Sequence, residues 1–353
     1  TSSMLNIARC RMKPTDSAKD PSRRTMNARL QPLITAVIPT HNRAHILGRA
    51  LQSVSEQTYR PVEVVVVDDG STDDTQQVVK RFADEQADGT SFSVRYVQQQ
   101  NAGANAARNR GIREARGEFV AFLDSDDRWL PEKIARQLAV FEGRPEVGDV
   151  TCGVRHVDLN TSAVVGEMVT GYPAGNLLRQ LLIHDVTGPT PCHMVRRAVF
   201  DKAGLFDESL PARQDWDMWI RVAEHYQFGC VSEVLVEQGE HAGNRVRSNP
   251  MNEIEGHQQI FEKYAHLRAN QPLWVRLAAR SAMYRRRGRV YFHRGMSVKK
   301  AILLQLAAIG VWPLAFDSYA ALGGMLLPGQ LRRRVHEAWN ARFGRTRLAI
   351  RSH

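Results

Sequence analysis

Phe119-Val120-Ala121-Phe122-Leu123-Asp124-Ser125-Asp126-Asp127 is an apolar run that ends in three carboxylates. The run Phe119 to Leu123 reads as a buried strand. Carboxylates packed as closely as Asp124, Asp126 and Asp127 repel one another unless a positive charge sits among them. Mg²⁺ and Mn²⁺ take oxygen ligands and share them with substrate phosphates, so a divalent cation holding a diphosphate meets that need. A solvated turn feeding a helix that Pro131 starts is the alternative, and this stretch alone leaves it open.

Upstream lie more segments of the same kind. Leu33 to Pro39 reads as a first buried strand, and Val62 to Val67 as a second, apolar on both faces as a parallel sheet requires. Val94 to Val97 reads as a third strand. Helical periodicity runs over Arg43 to Gln57, Thr75 to Phe82 and Ala102 to Ala115. Alternating strands and helices imply an α/β, doubly wound, mostly parallel sheet, in which ligands sit beyond the carboxyl ends of the strands. Three polar clusters fall at such ends: Pro39 to Arg43, Asp68 to Asp74 and Asp124 to Asp127. Past residue 150 the alternation breaks down. Cys152 to Val157 and Val164 to Val169 read as strands, whereas Asn176 to Ile183, Arg196 to Ala203 and Trp216 to Tyr226 read as helices. Beyond Asn252 the chain becomes mainly helical and Arg-rich.

The chain has 353 residues, room for one large α/β domain and an appendage. Its net charge of +11 is unevenly spread: residues 1–31 carry +5, residues 32–267 carry −9 and residues 268–353 carry +15. Basic ends imply nucleic acid, an anionic membrane surface or plain solvated tails. The first thirty residues are polar, basic and aperiodic, and read as disordered without a secretory signal. The best candidate for a membrane segment, Ala301 to Leu327, is interrupted by Gln305, Pro313 and Asp317. It reads instead as a segment lying on a membrane surface, flanked by Lys299-Lys300 and Arg332-Arg333-Arg334. Cys10, Cys152, Cys192 and Cys230 are widely spaced in sequence, which suggests neither a disulfide framework nor a zinc site and fits a reducing compartment.

The order VIPTHNR, VVVVDDGSTDDT, QNAGANAARNRGIREARGEFVAFLDSDD and RQDWDMWIRVAE, spanning about Leu33 to Ser248, resembles the family 2 glycosyltransferases with the GT-A fold. The resemblance implies roles position by position. Pro39, Thr40, His41 and Asn42 would lie on the first nucleotide-binding loop, with His41 where the family often has a base-stacking tyrosine. Asp69 matches the carboxylate that accepts from the uracil ring. Asn101 and Gly103 would shape the nucleotide site, and Arg108 would face the phosphates or solvent. Asp124 and Asp126, either side of Ser125, match the family's DxD pair, with Asp126 as ligand of Mn²⁺ or Mg²⁺. Asp215 matches the general base, with Gln214 where the family has glutamate. Trp216 and Trp219 would line the acceptor pocket or pack in the core, and His241 would close over the diphosphate near the metal.

The expected activity is inverting transfer of a sugar from a nucleotide sugar, UDP-linked in the first instance, to a carbohydrate or lipid-linked hydroxyl acceptor. The setting would be cell-surface polysaccharide or glycolipid synthesis in the cytoplasm, peripheral to the inner face of the membrane. The expected layout is a disordered basic segment 1–31, a glycosyltransferase domain 32–250 and a basic helical region 251–353. Within the domain, 32–150 would bind donor and 151–250 would bring acceptor and base. An oxidoreductase is disfavoured because no GxGxxG follows the first strand. A sugar nucleotidyltransferase would need a Gly-rich, basic loop where Pro39 to Arg43 stands. A nucleic-acid-binding protein fits the basic C-terminus, but the motifs lie in the acidic middle and the arginines mostly lack interleaved aromatics, so no nucleic acid is expected.

Overall fold

The computed structural model describes residues 31–86, 91–159, 161–169, 171–240 and 249–326. Strands β1 (Ile34–Thr40) and β2 (Val62–Asp68) are buried at every position. A strand with helices on both faces has no wet side, and such a position selects unbroken apolar runs. On β1, Ile34, Ala36 and Ile38 feed one core and Val37 feeds the other, which it shares with Val120 and Phe122. Helix α1 (Leu47–Ser55) buries Leu47, Ala50, Leu51 and Val54, the face its periodicity marks. It starts later than expected because Asn42 takes φ +51° and the Ala44 N–H is donated to Asp73.

The N-terminal half continues with α2 (Thr75–Glu85), β3 (Phe92–Gln98), α3 (Ala104–Glu114) and β4 (Phe119–Phe122). The order β3-β2-β1-β4 is parallel throughout. In register, Thr40 lies opposite Asp68, and Asp68 opposite Gln98. The three loops that follow these residues therefore leave one edge of the sheet, and the Leu123 N–H donated to the Val37 carbonyl brings β4 to the same edge.

Next come β5 (Arg128–Trp129), α4 (Lys133–Phe141), β6 (Val147–Asp158), β7 (Val164–Val169), α5 (Leu178–Leu181), β8 (Met194–Arg196), α6 (Val199–Ala203), α7 (Gln214–Ala223) and β9 (Gln227–Glu240). β8 is antiparallel to both β4 and β6, β9 is parallel to β6, and β5 is antiparallel to β9. This extends the sheet in the order β4-β8-β6-β9-β5, with β7 on β6. The helix expected over Arg196 to Ala203 is confined to α6, because the preceding backbone is taken by β4 and β6 on its two sides. The helix expected from Asn176 to Ile183 is likewise only the short α5. β9 escapes periodicity reading because its polar and apolar residues do not alternate cleanly; it is held by partners on both sides.

The chain ends its described part in helices α8 (Pro250–Lys263), α9 (Ala265–Ala269), α10 (Leu273–His293), α11 (Val298–Val311) and α12 (Phe316–Leu326). Ile260 and Tyr264 complete the apolar core beneath α7. Cys152 and Cys192, distant in sequence, meet in the other core as free thiols, with Cys152 Sγ 3.5 Å from the Cys192 carbonyl.

Candidate active site

The β1 and β2 loops are laced together by Asn42. Its N–H donates to Ser71 Oγ at 2.8 Å, and its Oδ1 accepts the Thr72 N–H at 2.8 Å. Thr40 is buried just before it, with no hydrogen-bond partner for its Oγ1 among the described residues. Pro39 is buried in β1, and His41 is exposed beyond it. Asn101 Nδ2 reaches the His41 ring at 3.3 Å, so the two face each other at the mouth of the site.

Asp68 and Asp69 are both buried, and each has a different set of donors. Asp68 accepts the Ser71 N–H at 2.8 Å and the Tyr96 hydroxyl. Burial, and then this bond to Asp68, pushes the Tyr96 phenol above its ordinary range. Asp69 Oδ1 accepts from Gln99 Nε2 and from the Ala102 N–H, each at 2.8 Å, and Oδ2 accepts the Gly103 N–H at 2.7 Å. The Asp69 carboxylate thus fixes the loop that carries Asn101 and Gly103 into α3. Bonds from neutral donors to a buried carboxylate are charge-assisted and about twice as strong as neutral ones.

α3 then aims Arg108 at the DxD segment. Its guanidinium donates to Asp124 Oδ1 at 2.7 Å and to Asn105 Oδ1 at 3.1 Å. Arg108, expected to face the phosphates or solvent, is paired in this structure with Asp124, the first carboxylate of the Asp124-Ser125-Asp126 turn. Arg110 turns outward to Glu114 on its own helix. The turn Asp124 to Asp127 closes with the Asp127 N–H donated to the Asp124 carbonyl at 3.0 Å. Ser125 is buried inside it, and Asp127 accepts the Gly239 N–H at 3.0 Å. Gly239 has no room for a side chain: a Cβ there would lie 2.4 Å from the Asp126 carbonyl oxygen. The end of β9 is thereby pressed against Asp126. His241, which follows it, lies outside the described residues.

Among the described residues no three His, Cys, Asp or Glu side chains form a metal cage. Mg²⁺-type sites need no such cage, since one or two carboxylates and the substrate phosphates suffice. The acidic turn fits that chemistry: Asp124 and Asp126 are only partly buried.

Asp215 lies in the first turn of α7, its Oδ1 accepting the Trp216 N–H at 2.8 Å. Asp185 is close by: burial, and then the Asp215 charge, push its carboxyl up. Trp216 is buried, donating to the Leu181 carbonyl at 2.8 Å, with the Arg286 guanidinium 5.6 Å from its ring. Trp219 is wholly buried and stacks on His193 at 3.8 Å, and His193 is paired with the buried Asp149 at 2.6 Å. Asp217 is also buried, bound to Arg221, Lys263 and Tyr264. These partners give Asp217 and Trp219 structural roles.

Sequence reading missed two residues here. Asn109, buried on α3, hydrogen-bonds the backbone of Phe206 and the Glu208 carboxylate, tying the N-terminal half to the segment that leads to α7. The other is Asp185, a lone aspartate outside any motif.

Residues 35–204 match the family model described as Glycosyl transferase family 2. An uncharacterized glycosyltransferase of Rickettsia prowazekii is 27% identical over 241 residues, covering 66% of this chain and 71% of that one. Among solved structures, S. aureus TarS gives a TM-score of 0.55 at 21% identity, covering 86% of this chain and 52% of that one. Its residues 1–349 in complex with UDP-GlcNAc give 0.53 at 20% identity, over 82% of this chain and 90% of that one. The mannosyltransferase PcManGT from Pyrobaculum calidifontis, in complex with GDP-Man and Mn²⁺, gives 0.50 at 21% identity over 93% and 91%. At such identities the solved structures speak for the fold alone.

Proposed function

The chain belongs to glycosyl transferase family 2 and is a glycosyltransferase, and from that premise we propose that it transfers a sugar, with inversion, from a UDP-sugar to a hydroxyl acceptor. The observation that carries this reading is the separation of two acidic centres. Asp68, Asp69, Asp124 and Asp126 gather at one sheet edge, whereas Asp215 is presented from α7. The UDP-GlcNAc and GDP-Man bound by the two similar structures support a nucleotide-sugar donor.

In this reading His41 and Asn101 flank the base, and Asp69 holds the loop on which Asn101 stands. Asp126, with Asp124 beside it and His241 beyond β9, would hold Mn²⁺ or Mg²⁺, whose charge neutralises the departing diphosphate. Asp215 takes the proton of the acceptor hydroxyl. The acceptor oxygen then forms its bond to the anomeric carbon as the bond from that carbon to the phosphate oxygen breaks, the electron pair leaving with the diphosphate. The acceptor would be a carbohydrate or lipid-linked hydroxyl of cell-surface polysaccharide or glycolipid synthesis.

Calorimetric titration of UDP with and without Mn²⁺ tests the donor site. Metal-dependent micromolar binding is expected. Absence of binding to UDP, GDP and dTDP, with metal present, would overturn the reading.

A further inference from the structure

Helices α11 and α12 bury polar and small side chains beside a few apolar ones and leave large apolar side chains exposed. The buried positions of α11 are Ala301, Gln305 and Ala308, with Gln305 0% exposed, and Ile302 and Leu304 pack half-buried against Val290 and Tyr291 of α10. Its outer face carries Leu303 at 57% and Leu306 at 48% exposure. On α12, Ser318 and Met325 are buried while Phe316 is 74% and Leu326 65% exposed. Residues 299, 303, 306 and 310, and residues 316, 319, 323 and 326, follow helical spacing, so each set forms one exposed stripe.

Three polar links join this hairpin to α10. Gln305 Nε2 donates to the Arg285 carbonyl at 3.1 Å, Ser281 Oγ donates to the Ala308 carbonyl at 2.8 Å, and the Asp317 carboxylate pairs with Arg285 at 3.1 Å. Gly288 makes the close approach possible, since a Cβ there would stand 2.8 Å from Gln305 Nε2. Of the three residues that break the apolar run Ala301 to Leu327, Gln305 is thus turned onto α10, and Asp317, 51% exposed, reaches Arg285 from the rim. A helix in water normally puts such polar groups outward and its leucines inward.

We propose that the α11–α12 hairpin docks this protein on an anionic lipid bilayer, its exposed Leu303, Leu306, Leu314, Phe316 and Leu326 entering the headgroup and acyl boundary. No helix among the described residues is long and apolar enough to cross a membrane. α11, with 14 residues, spans only about 21 Å against an acyl core of about 30 Å, so the insertion is shallow. Charge selects a bilayer over a second copy of the chain. Arg294, Lys299 and Lys300 are exposed at the start of the hairpin, and residues 268–353 carry 17 basic and 2 acidic side chains. Two such surfaces repel, whereas an anionic leaflet attracts them.

The hairpin also reaches the acceptor side of the site. It grips Arg285, and the next residue, Arg286, lies over Trp216 beside Asp215. An acceptor resident in the same bilayer is thereby brought towards Asp215, a consequence that rests on the function proposed above; docking itself does not.

Co-sedimentation of the full chain with vesicles of equal parts phosphatidylcholine and phosphatidylglycerol, and with phosphatidylcholine alone, tests the proposal. Binding is expected to the mixed vesicles and to fall as salt rises. The double variant Leu306→Gln, Phe316→Gln should bind at least about tenfold more weakly with a nearly unchanged melting curve, since Leu306 is 48% and Phe316 74% exposed in the free protein. No sedimentation at low salt, or equal sedimentation of the double variant, overturns it. So does velocity ultracentrifugation without vesicles, if the wild type is a dimer that the double variant dissociates. UDP binding by the same variant separates this result from any failure at the donor site.

Discussion

The side-chain amide of Asn109 hydrogen-bonds both backbone groups of Phe206: Nδ2 donates to the carbonyl at 2.9 Å, and Oδ1 accepts the N–H at 2.8 Å. The same Nδ2 also reaches Glu208 at 2.7 Å. One buried residue on the donor-side helix therefore sets the position of the segment that enters α7 and carries Asp215.

Replacing Asn109 with alanine leaves the Phe206 N–H and carbonyl without these partners in a buried setting. The cost should be about 2–4 kcal/mol of unfolding free energy. Urea denaturation measures it. A change below about 0.5 kcal/mol would mean that water or backbone movement replaces the amide.

Asp69→Asn should cost about 1–3 kcal/mol, because an amide NH₂ would be turned against one of the three N–H donors that now meet the carboxylate. UDP affinity should fall with it, as the loop carrying Asn101 loosens. Denaturation and UDP titration on the same variant distinguish roles. Lost UDP binding with unchanged stability would identify Asp69 as a base contact rather than a loop anchor.

Asp215→Asn keeps the acceptor oxygen that caps the Trp216 N–H and removes only the basicity. Sugar transfer should drop by about 10²–10⁴-fold while the dissociation constant for UDP stays within about twofold. Asp126→Ala should do the opposite to binding, abolishing the dependence of UDP affinity on Mn²⁺. Turnover retained in Asp215→Asn would refute the assigned base, and metal-dependent UDP binding retained in Asp126→Ala would refute the assigned ligand.

Stability should fall on the acid side of neutrality. Burial, and then the neighbouring Arg286, push His184 down to about 4 and His257 down to about 2. In the unfolded chain both histidines protonate near 6.5, so below that pH the unfolded state binds protons that the folded state refuses. Each histidine then removes roughly 1.4 kcal/mol per pH unit, His184 down to about pH 4 and His257 further. Melting curves between about pH 7 and about pH 5 should show this slope, and His184→Gln with His257→Gln should flatten it. An equal slope in the double variant would assign the acid sensitivity to other groups.

The donor half of the fold was largely legible. β1, β2 and β4 are buried on both faces, and that environment demands continuous apolar runs, which a sequence displays directly. The polar clusters at their ends marked Asp69, Asp124 and Asp126 because the apolar runs stop there; a carboxylate inside a buried strand needs its own donors, as Glu63 of β2 has in the Thr35 hydroxyl and the Arg116 N–H. β8 and β9 were not legible, since three residues of Met194–Arg196 become a strand only because β4 and β6 offer edges on both sides.

By itself the sequence determined which residues could bear charge at the sheet edge and which helices would cover the sheet, because both follow from local patterns of apolar and polar residues. Only the tertiary structure decided what each charge does. Asp69 meets Gly103, Arg108 meets Asp124, and the interrupting Gln305 of an apolar run turns onto Arg285. Those partners lie far apart in the chain, and a hydrogen bond of 2.7 to 3.1 Å is fixed by strand register and helix placement, which no local pattern encodes.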